Sequence, residues 1–309
     1  MIVVKHARKG AVNFGTHNGI FHCDEVVGIA ILELAHMNIS EKYVVRTRDT
    51  EILKNLYLVI DVGGGEYDHH MSNFNTRRPT GEKYASAGLV WRTFADEAIK
   101  NVMAEENVSM TRDELENLKA QIDIEIILPV DLEDNGEGKN KHRFSFIPDF
   151  LPSYLIKEPD FDECFEIVEN VVVKILKATI KSMGMKIKIK TDLTRKLSQV
   201  ENGILQIPAQ NMTWTEIVVE HNKSHDNEVK FVMFPYPTGG WAAQAVPPSM
   251  EDMFGQLVPF PREWAGGNEK TLPEISGIKD ATFCHNGRFF VRAKTKESVI
   301  KMCELAMNM

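Results

Sequence analysis

The feature that most constrains this chain is a continuous apolar run, Leu56–Val62 (LYLVIDV), stopped by Gly63-Gly64-Gly65. A run of that length between turn signals reads as a strand buried on both faces, and both-face burial is typical of parallel sheets. Its neighbours fit the same architecture. Ala11–Phe14 is a short apolar segment leading into Gly15-Thr16-His17-Asn18-Gly19, and Tyr43–Arg48 (YVVRTR) is β-branched. Between them Val26, Val27, Ile29, Ala30, Ile31 and Leu34 make a helix apolar nearly all round, which must be deeply buried. Strand, helix, strand, helix, strand predicts right-handed crossovers and a parallel sheet, with Leu56–Val62 as a central strand.

Helices are expected over Gly88–Lys100 and Thr111–Gln121, while Ile122–Val130 fits either a helix or a short strand. Glu133–Arg143 is polar and rich in Gly and Asn, hence a loop. Phe161–Met185 reads as a long amphipathic helix. Lys186–Arg195 (KIKIKTDLTR) follows as a linker or edge element, so the expected domains are 1–186 and 187–309. The second carries hairpin signals: Val229–Pro235 and Trp241–Val246 flank a turn-rich Tyr236–Gly240, and Ala281–His285 and Arg288–Arg292 flank Asn286-Gly287. Lys296–Met307 closes the chain as a helix with Thr295 at its N-cap.

With 309 residues, 43% of them hydrophobic and 26% charged, the chain has ample core material. Its net charge of −8 argues against coating nucleic acid by bulk charge, though not against gripping phosphates at one local site. Cys23, Cys164, Cys284 and Cys303 are widely spaced with no C-x-x-C pair, which argues against a disulfide framework or a zinc knuckle. Reduced thiols, no apolar run long enough for a membrane span and no secretory signal predict a soluble, cytoplasmic protein.

The chemistry concentrates in three short stretches: residues 15–25, Asp61, and Asp68-His69-His70. Together they hold four histidines and three aspartates. His17, His22 and Asp24 fall between the first strand and the first helix; Asp61 ends a strand, and Asp68-His69-His70 lies just beyond it. In an open parallel sheet such positions share one edge, where ligands bind. Imidazole nitrogens mixed with carboxylate oxygens suit divalent Mn²⁺, Fe²⁺ or Zn²⁺, and a carboxylate such as Asp61 can bridge two ions. Taken singly, each residue is as well explained as a loop polar or a helix cap; aligned on one sheet edge, the set points to a metal centre. Cys23 reads as packing. Asp131 and Asp134, three apart in VDLEDNG, share a face if that segment is helical, with Asp134 favoured as a cap for the Asn135-Gly136 turn.

The segments GTHNGIFHCDE, VVRTRD, VIDVGG, YDHH, SAGLVW, VDLEDNG and WAAQAVP resemble the melanocyte proliferating gene family, within the wider DHH phosphoesterases. Its members are regarded as 3′–5′ RNA exonucleases, and matching segments run from near Gly15 to near Ala306. The resemblance implies a two-domain α/β fold, with a parallel-sheet metal-binding domain and a smaller mixed α+β substrate-binding domain. It implies two divalent ions, Mn²⁺ first and Mg²⁺, Fe²⁺ or Zn²⁺ as alternatives, on His17, His22, Asp24, Asp61, His69 and Asp131. Asp61 would bridge them, His70 would face the substrate phosphate, and Asp68 would orient a histidine. His22 stands where such enzymes commonly carry an Asp. Ser86, opening a helix, and His285 with Arg288 in the second domain are further candidates for substrate contact, although capping explains Ser86 equally well. RNA or short oligonucleotides are the implied substrate. A small phosphorylated molecule and a non-catalytic metal-binding scaffold are the rival readings, and a homodimer is compatible with either.

Overall fold

The computed structural model describes residues 1–138, 141–152, 160–198, 200–209, 214–226 and 228–309. The chain divides into two units, Met1–Met185 and Lys186–Met309.

The first unit is built on a parallel sheet of β1 (Ile2–Val3), β2 (Val12–Thr16), β3 (Lys42–Arg46) and β4 (Leu58–Val59), in the order β1-β3-β2-β4. Helix α1 (Cys23–Ala35) crosses from β2 to β3 with every residue buried except Glu33, as its all-round apolar sequence requires. Gly28 lets α1 approach closely: a Cβ there would lie 2.7 Å from Ile60 Cδ1. The short α2 (Thr50–Leu53) leads to β4, then α3 (Ser86–Ala104) packs along α1. The run Leu56–Val62 is therefore not central. Only Leu58 and Val59 pair with β2, and the far side of the run is met at Ile60 by Tyr67, not by another strand. Within the run Ile60 and Asp61 are buried, Leu56, Leu58, Val59 and Val62 half-buried and Tyr57 exposed, so an apolar run alone mistakes a sheet edge for its interior.

Helix α4 (Arg112–Ile122) begins with a reciprocal cap between Thr111 and Glu114. It continues through a π-helical turn, Asp123–Ile127, into α5 (Leu128–Asp134). The ambiguous Ile122–Val130 is thus helical. Helix α6 spans Phe161–Leu197, so Lys186–Arg195 is neither linker nor edge strand. Its alternating Lys and Ile mimic a strand over five residues, but Lys favours helix, and Ile187, Leu193 and Leu197 are buried along it.

The second unit carries a mixed sheet of β5 (Ile204–Gln206), β6 (Phe231–Pro235), β7 (Trp241–Ala245), β8 (Ala281–Cys284) and β9 (Phe290–Ala293), in the order β5-β6-β7-β9-β8. Only β5 and β6 run parallel. Along β6 the side chains alternate between two cores. Phe231 and Met233 join Phe260, Trp264, Val299 and Met302, while Val232 and Phe234 join Trp214 and Val218. These two faces are covered by α7 (Trp214–Ser224), the short α8 (Leu272–Ser276) and α9 (Lys296–Met307). Thr295 caps α9 by accepting from the Ser298 N–H. The β8–β9 connection is longer than a two-residue Asn-Gly turn. It closes with His285 N–H donating to Phe290 O and Arg288 N–H donating to His285 O, with Arg288 itself at φ 57°.

Candidate metal centre

The carboxyl ends of adjacent parallel strands create the site. β2 runs out into His17, β3 towards Arg48 and β4 into Asp61, all at one edge of the sheet. Asp61 holds a left-handed backbone, φ 60°, that L-residues other than Asn and Asp seldom adopt. Such a conformation is uncommon enough to mark a position held by its surroundings. Its N–H donates to Tyr67 O at 3.0 Å, which fixes the bend.

Around Asp61 the histidines converge. His17 Nε2 lies 2.8 Å from Glu25 Oε1 and 3.3 Å from Asp61 Oδ2, with its ring 3% exposed. Burial works against charging His17, but hydrogen bonds to Asp61 and Glu25 outweigh it and push its pKa up to about 10. His69 Nδ1 lies 3.1 Å from Ser86 Oγ, 3.4 Å from Asp61 Oδ1 and 3.7 Å from Asp24 Oδ2, and its Nε2 is 2.8 Å from Asp134 Oδ2. Burial opposes charge on this ring too, yet Asp134 draws its pKa upward. His70 is the exposed member: its Nδ1 contacts Asp61 Oδ1 at 3.3 Å and Asp68 Oδ1 at 3.0 Å. Asp68 thereby orients His70. Burial alone would raise the Asp68 pKa, but N–H groups of Gly64 and His70 hold it below the ordinary carboxylate range. His22 is exposed at the start of α1, its N–H donating to both oxygens of Glu25.

Two buried carboxylates do something the sequence did not disclose. Asp24 accepts from the Ser86 and Ala87 N–H groups at 2.9 and 2.7 Å, and Asp131 accepts from Gly88 N–H at 2.9 Å. The first turn of α3 is thus closed by carboxylates from α1 and α5, where the helix dipole favours negative charge. Its N–H groups are already taken, and Ser86 contributes its hydroxyl, donating to Asp61 Oδ1 at 3.2 Å. Burial, reinforced by Asp61, Asp134 and Asp131, raises the Asp24 pKa well above its usual value.

Asp131 and Asp134 separate sharply. Asp134 faces His69, whereas Asp131 turns to Arg78, whose Nη1 lies 2.8 Å from Asp131 Oδ2. Arg78 also makes a two-pronged pair with Asp123, at 2.8 Å from each of Nε and Nη2. Burial takes the Asp131 pKa up to about 7 even though Arg78 opposes the rise. Gly88 is the residue this packing demands: a Cβ there would sit 1.9 Å from Asp131 Oδ2.

The residues present fit divalent metal. Donor atoms of His17, His22 and Glu25 lie within 4.8 Å of one another, as do those of Asp61, His69 and His70, and those of Asp24, His69 and Asp134. His69 belongs to two of these sets, and Asp61 Oδ1 lies 3.4 Å from His69 Nδ1 and 3.3 Å from His70 Nδ1. Asp24 is repelled by Asp61, Asp134 and Asp131, and bound cations would relieve that repulsion beyond what Arg78 does at Asp131. A fourth set, Cys23, Glu133 and His142, lies beside them. There Cys23 Sγ donates to Phe144 O at 3.3 Å, and His142 Nδ1 accepts from Phe144 N–H at 3.2 Å. The site opens into a cavity of about 290 Å³ that His17, His22, Arg48, Asp61, Asp68 and His70 help to line.

His285 and Arg288 belong to the second unit, at the β8–β9 connection, where Arg288 Nη1 donates to Phe260 O at 3.4 Å. Trp264 is buried and Trp241 half-buried. Sequence reasoning did not single out Glu25, which meets His17, Arg48, which lines the cavity, or Arg78, which pairs with Asp131, and it favoured as a cap Asp134, which lies beside His69. Glu25 carried a signal, since it lies three residues after His22 at a helix start, but that spacing also describes an ordinary cap.

The fold and this constellation place the chain in one class: the MYG1 exonuclease family model, described as an uncharacterised protein family (UPF0160), matches residues 13–307, and the chain belongs to that family. Among its relatives, the MYG1 protein of Chlamydia trachomatis serovar D is 28% identical over 304 residues, covering 96% of this chain and 95% of that protein. The MYG1 exonuclease of Mus musculus is 26% identical over 324 residues, covering 95% and 84%. Among solved structures, RecJ from Thermus thermophilus in complex with Mn²⁺ aligns over 96% of this chain at 11% identity with a TM-score of 0.25. The chain spans 52% of that RecJ chain. Among the described residues no helix is long and apolar enough to cross a membrane.

Proposed function

We propose that this protein is a metal-dependent phosphodiesterase that shortens RNA or short oligonucleotides from the 3′ end, in the cytoplasm. The observation that carries the reading is that Asp61, His69, His70, Asp24 and Asp134 form overlapping donor sets at one sheet edge, with His17 Nε2 3.3 Å from Asp61 Oδ2. Membership of a family whose mouse relative is called an exonuclease supports the substrate class.

Two divalent cations, Mn²⁺ being the ion best matched to mixed imidazole and carboxylate donors, would neutralise phosphate charge and acidify a water. His17, His22 and Glu25 would hold one; Asp24, His69 and Asp134 the other, with Asp61 between them. The protein's own groups do the rest. Asp68 fixes the His70 ring by its Nδ1, so that Nε2 is the atom presented to a substrate oxygen and can lend a proton to the leaving group. Ser86 pins Asp61 and His69 in mutual register. The Asp24 and Asp131 caps tie that register to the first turn of α3.

A small phosphorylated molecule is the second reading, favoured by the modest cavity and by the chain's net charge of −8. The test uses metal-stripped protein with Mn²⁺ added back, a 5′-labelled RNA oligonucleotide, pyrophosphate and a cyclic dinucleotide. A Mn²⁺-dependent ladder of shortened RNA is expected, lowered on the order of 10³-fold in Asp61→Asn, a substitution that tolerates the left-handed backbone. Cleavage of a small phosphoester with RNA intact would transfer the assignment to the second reading. Bound Mn²⁺ with no hydrolysis would leave a metal-binding scaffold.

A further inference from the structure

We infer that Arg48 is a phosphate-binding residue of this site, its guanidinium taking the non-bridging oxygens of the phosphoryl group that is cleaved. The inference rests on the hydrolase reading above and adds a residue to it.

Arg48 helps to line the cavity that His17, Asp61, Asp68 and His70 also line. It is exposed, and among the described residues no hydrogen bond, ion pair or ring contact engages its side chain. The carboxylates around the same cavity are already committed. Asp68 accepts from Gly64 N–H and from His70, and Asp61 is engaged with His17, His69, His70 and Ser86. A guanidinium beside carboxylates that do not pair with it has its five donors free for an incoming anion, and its planar fork matches two oxygens of a phosphate.

The two other arginines of this neighbourhood provide a contrast. Arg46 is buried, donating to Gly19 O, Phe161 O and Asp162 and lying 4.5 Å over the Phe165 ring. Arg78 is held by Asp123 and Asp131. Both are consumed by structure. Arg48 differs in having a fixed backbone and an uncommitted head. Thr47 N–H donates to Thr16 O at 2.8 Å, extending the β2–β3 ladder, and the next residue, Asp49, caps α2 through Glu51 N–H at 2.8 Å. The Asp49 carboxylate is thereby occupied, and Arg48 is presented from a backbone pinned on both sides. That arrangement fixes the point from which the side chain reaches, so that the side-chain rotamers and not the backbone are what binding must order.

The topology says which phosphate. In the order β3-β2-β4 the strand ends offer Arg48, His17 and Asp61 side by side. The cavity, about 290 Å³, is at the small end for ligand pockets. Lining the same cavity as His17, Asp61 and His70, Arg48 is placed to meet the phosphate held at the candidate centre.

The test compares wild type, Arg48→Ala and Arg48→Lys as full chains with Mn²⁺. Because Arg48 is exposed and unpartnered, both variants should fold. Mn²⁺ affinity is read by calorimetry, inorganic phosphate binding by ³¹P relaxation beside bound Mn²⁺, and turnover on the RNA oligonucleotide and on pyrophosphate. Arg48→Ala should bind Mn²⁺ like wild type, bind phosphate at least about tenfold more weakly, and lose on the order of 10²–10³ in kcat. Arg48→Lys, with charge but no fork, should recover part of both. Wild-type phosphate binding and turnover in Arg48→Ala would overturn the inference, and so would a loss of Mn²⁺ binding in that variant. The phosphate measurement needs no turnover. If wild type hydrolyses nothing yet loses phosphate binding on substitution, the hydrolase reading fails while Arg48 still binds phosphate. If wild type binds Mn²⁺ but no phosphate, both fall together.

Discussion

The two units solve the burial of polar groups in opposite ways. Met1–Met185 buries His17, Asp24, Glu25, Arg46, Asp61, Asp68, Arg78 and Asp131, whereas among the described residues of Lys186–Met309 the buried polar side chains are Thr215 and Asn222. Asn222 is matched within its own neighbourhood, donating to Val229 O and accepting from Val229 N–H. Helix starts differ in the same way: α9 is capped by adjacent Thr295, while α3 depends on carboxylates more than 40 residues distant in sequence, Asp24 and Asp131. Burying ionised groups costs several kcal/mol each unless they are paired, so a fold gains nothing in stability by concentrating them. Among the described residues the buried Asp, Glu, His and Arg side chains all lie in the first unit, the unit that holds the candidate metal centre.

The contrast breaks most readily at Arg78. Arg78→Leu leaves Asp131 buried with no cation and should cost the first unit about 3–5 kcal/mol, the usual penalty for a stranded buried charge. Arg78→Leu combined with Asp131→Leu should recover much of that loss. Hydrogen exchange resolved along the chain checks it: protection should fall in α3 and α5 and stay unchanged in β6 and β7. A smaller loss is expected from Gly88→Ala, whose Cβ would lie 1.9 Å from Asp131 Oδ2 and 2.7 Å from the Tyr84 ring. Overpacking of this kind costs about 1–3 kcal/mol. Because the shifted turn also carries the N–H groups that hold Asp24, Mn²⁺ affinity measured by calorimetry should weaken in parallel. Unchanged Mn²⁺ affinity in a destabilised Gly88→Ala would show that the caps and the metal centre are independent.

Sequence patterns disclosed what was local or periodic. The all-round apolar α1, the helix opened by Thr111 and the α9 start at Thr295 each follow from spacing over one or two turns. Strand ends carrying His17 and Asp61 could be aligned because a parallel sheet has one carboxyl edge. What stayed hidden depends on partners distant in sequence. Nothing near Asp131 reveals that Arg78, 53 residues earlier, will draw it away from the histidines and leave Asp134 beside His69. Both aspartates sit on α5, three residues apart, so helical periodicity assigns them the same face. Nor does a five-residue Lys–Ile alternation tell a strand from the middle of a 37-residue helix. The apolar run at Leu56–Val62 misled for a related reason: a half-buried edge strand can carry the same apolar composition as one flanked by two strands.

The finest distinction between the units is electrostatic, and pH separates it. In the second unit Asp280 accepts from Thr295 N–H at 3.0 Å, from Thr295 Oγ1 at 2.8 Å and from the Ser298 hydroxyl, tying down the start of α9. Slight burial works against its charge, but these hydrogen bonds outweigh it and hold its pKa below the ordinary value. A carboxylate with a depressed folded-state pKa adds stability above the unfolded pKa, about 4, and that contribution disappears as pH falls through the folded value. Asp131 behaves in the reverse sense. Its pKa is raised to about 7, so the folded state holds the extra proton and the first unit loses stability as pH climbs from about 4 towards 7. Acidifying from pH 7 to 4 should therefore relieve strain around Asp131 while leaving α9 intact, and only below about pH 4 should α9 loosen. Asp280→Asn should remove that acid-side loss at the cost of a small decrement at pH 7, under about 1 kcal/mol for so exposed a group. Exchange protection of α9 that fell between pH 7 and 5, or an Asp280→Asn profile parallel to wild type below pH 4, would remove Asp280 as the group that fastens this helix.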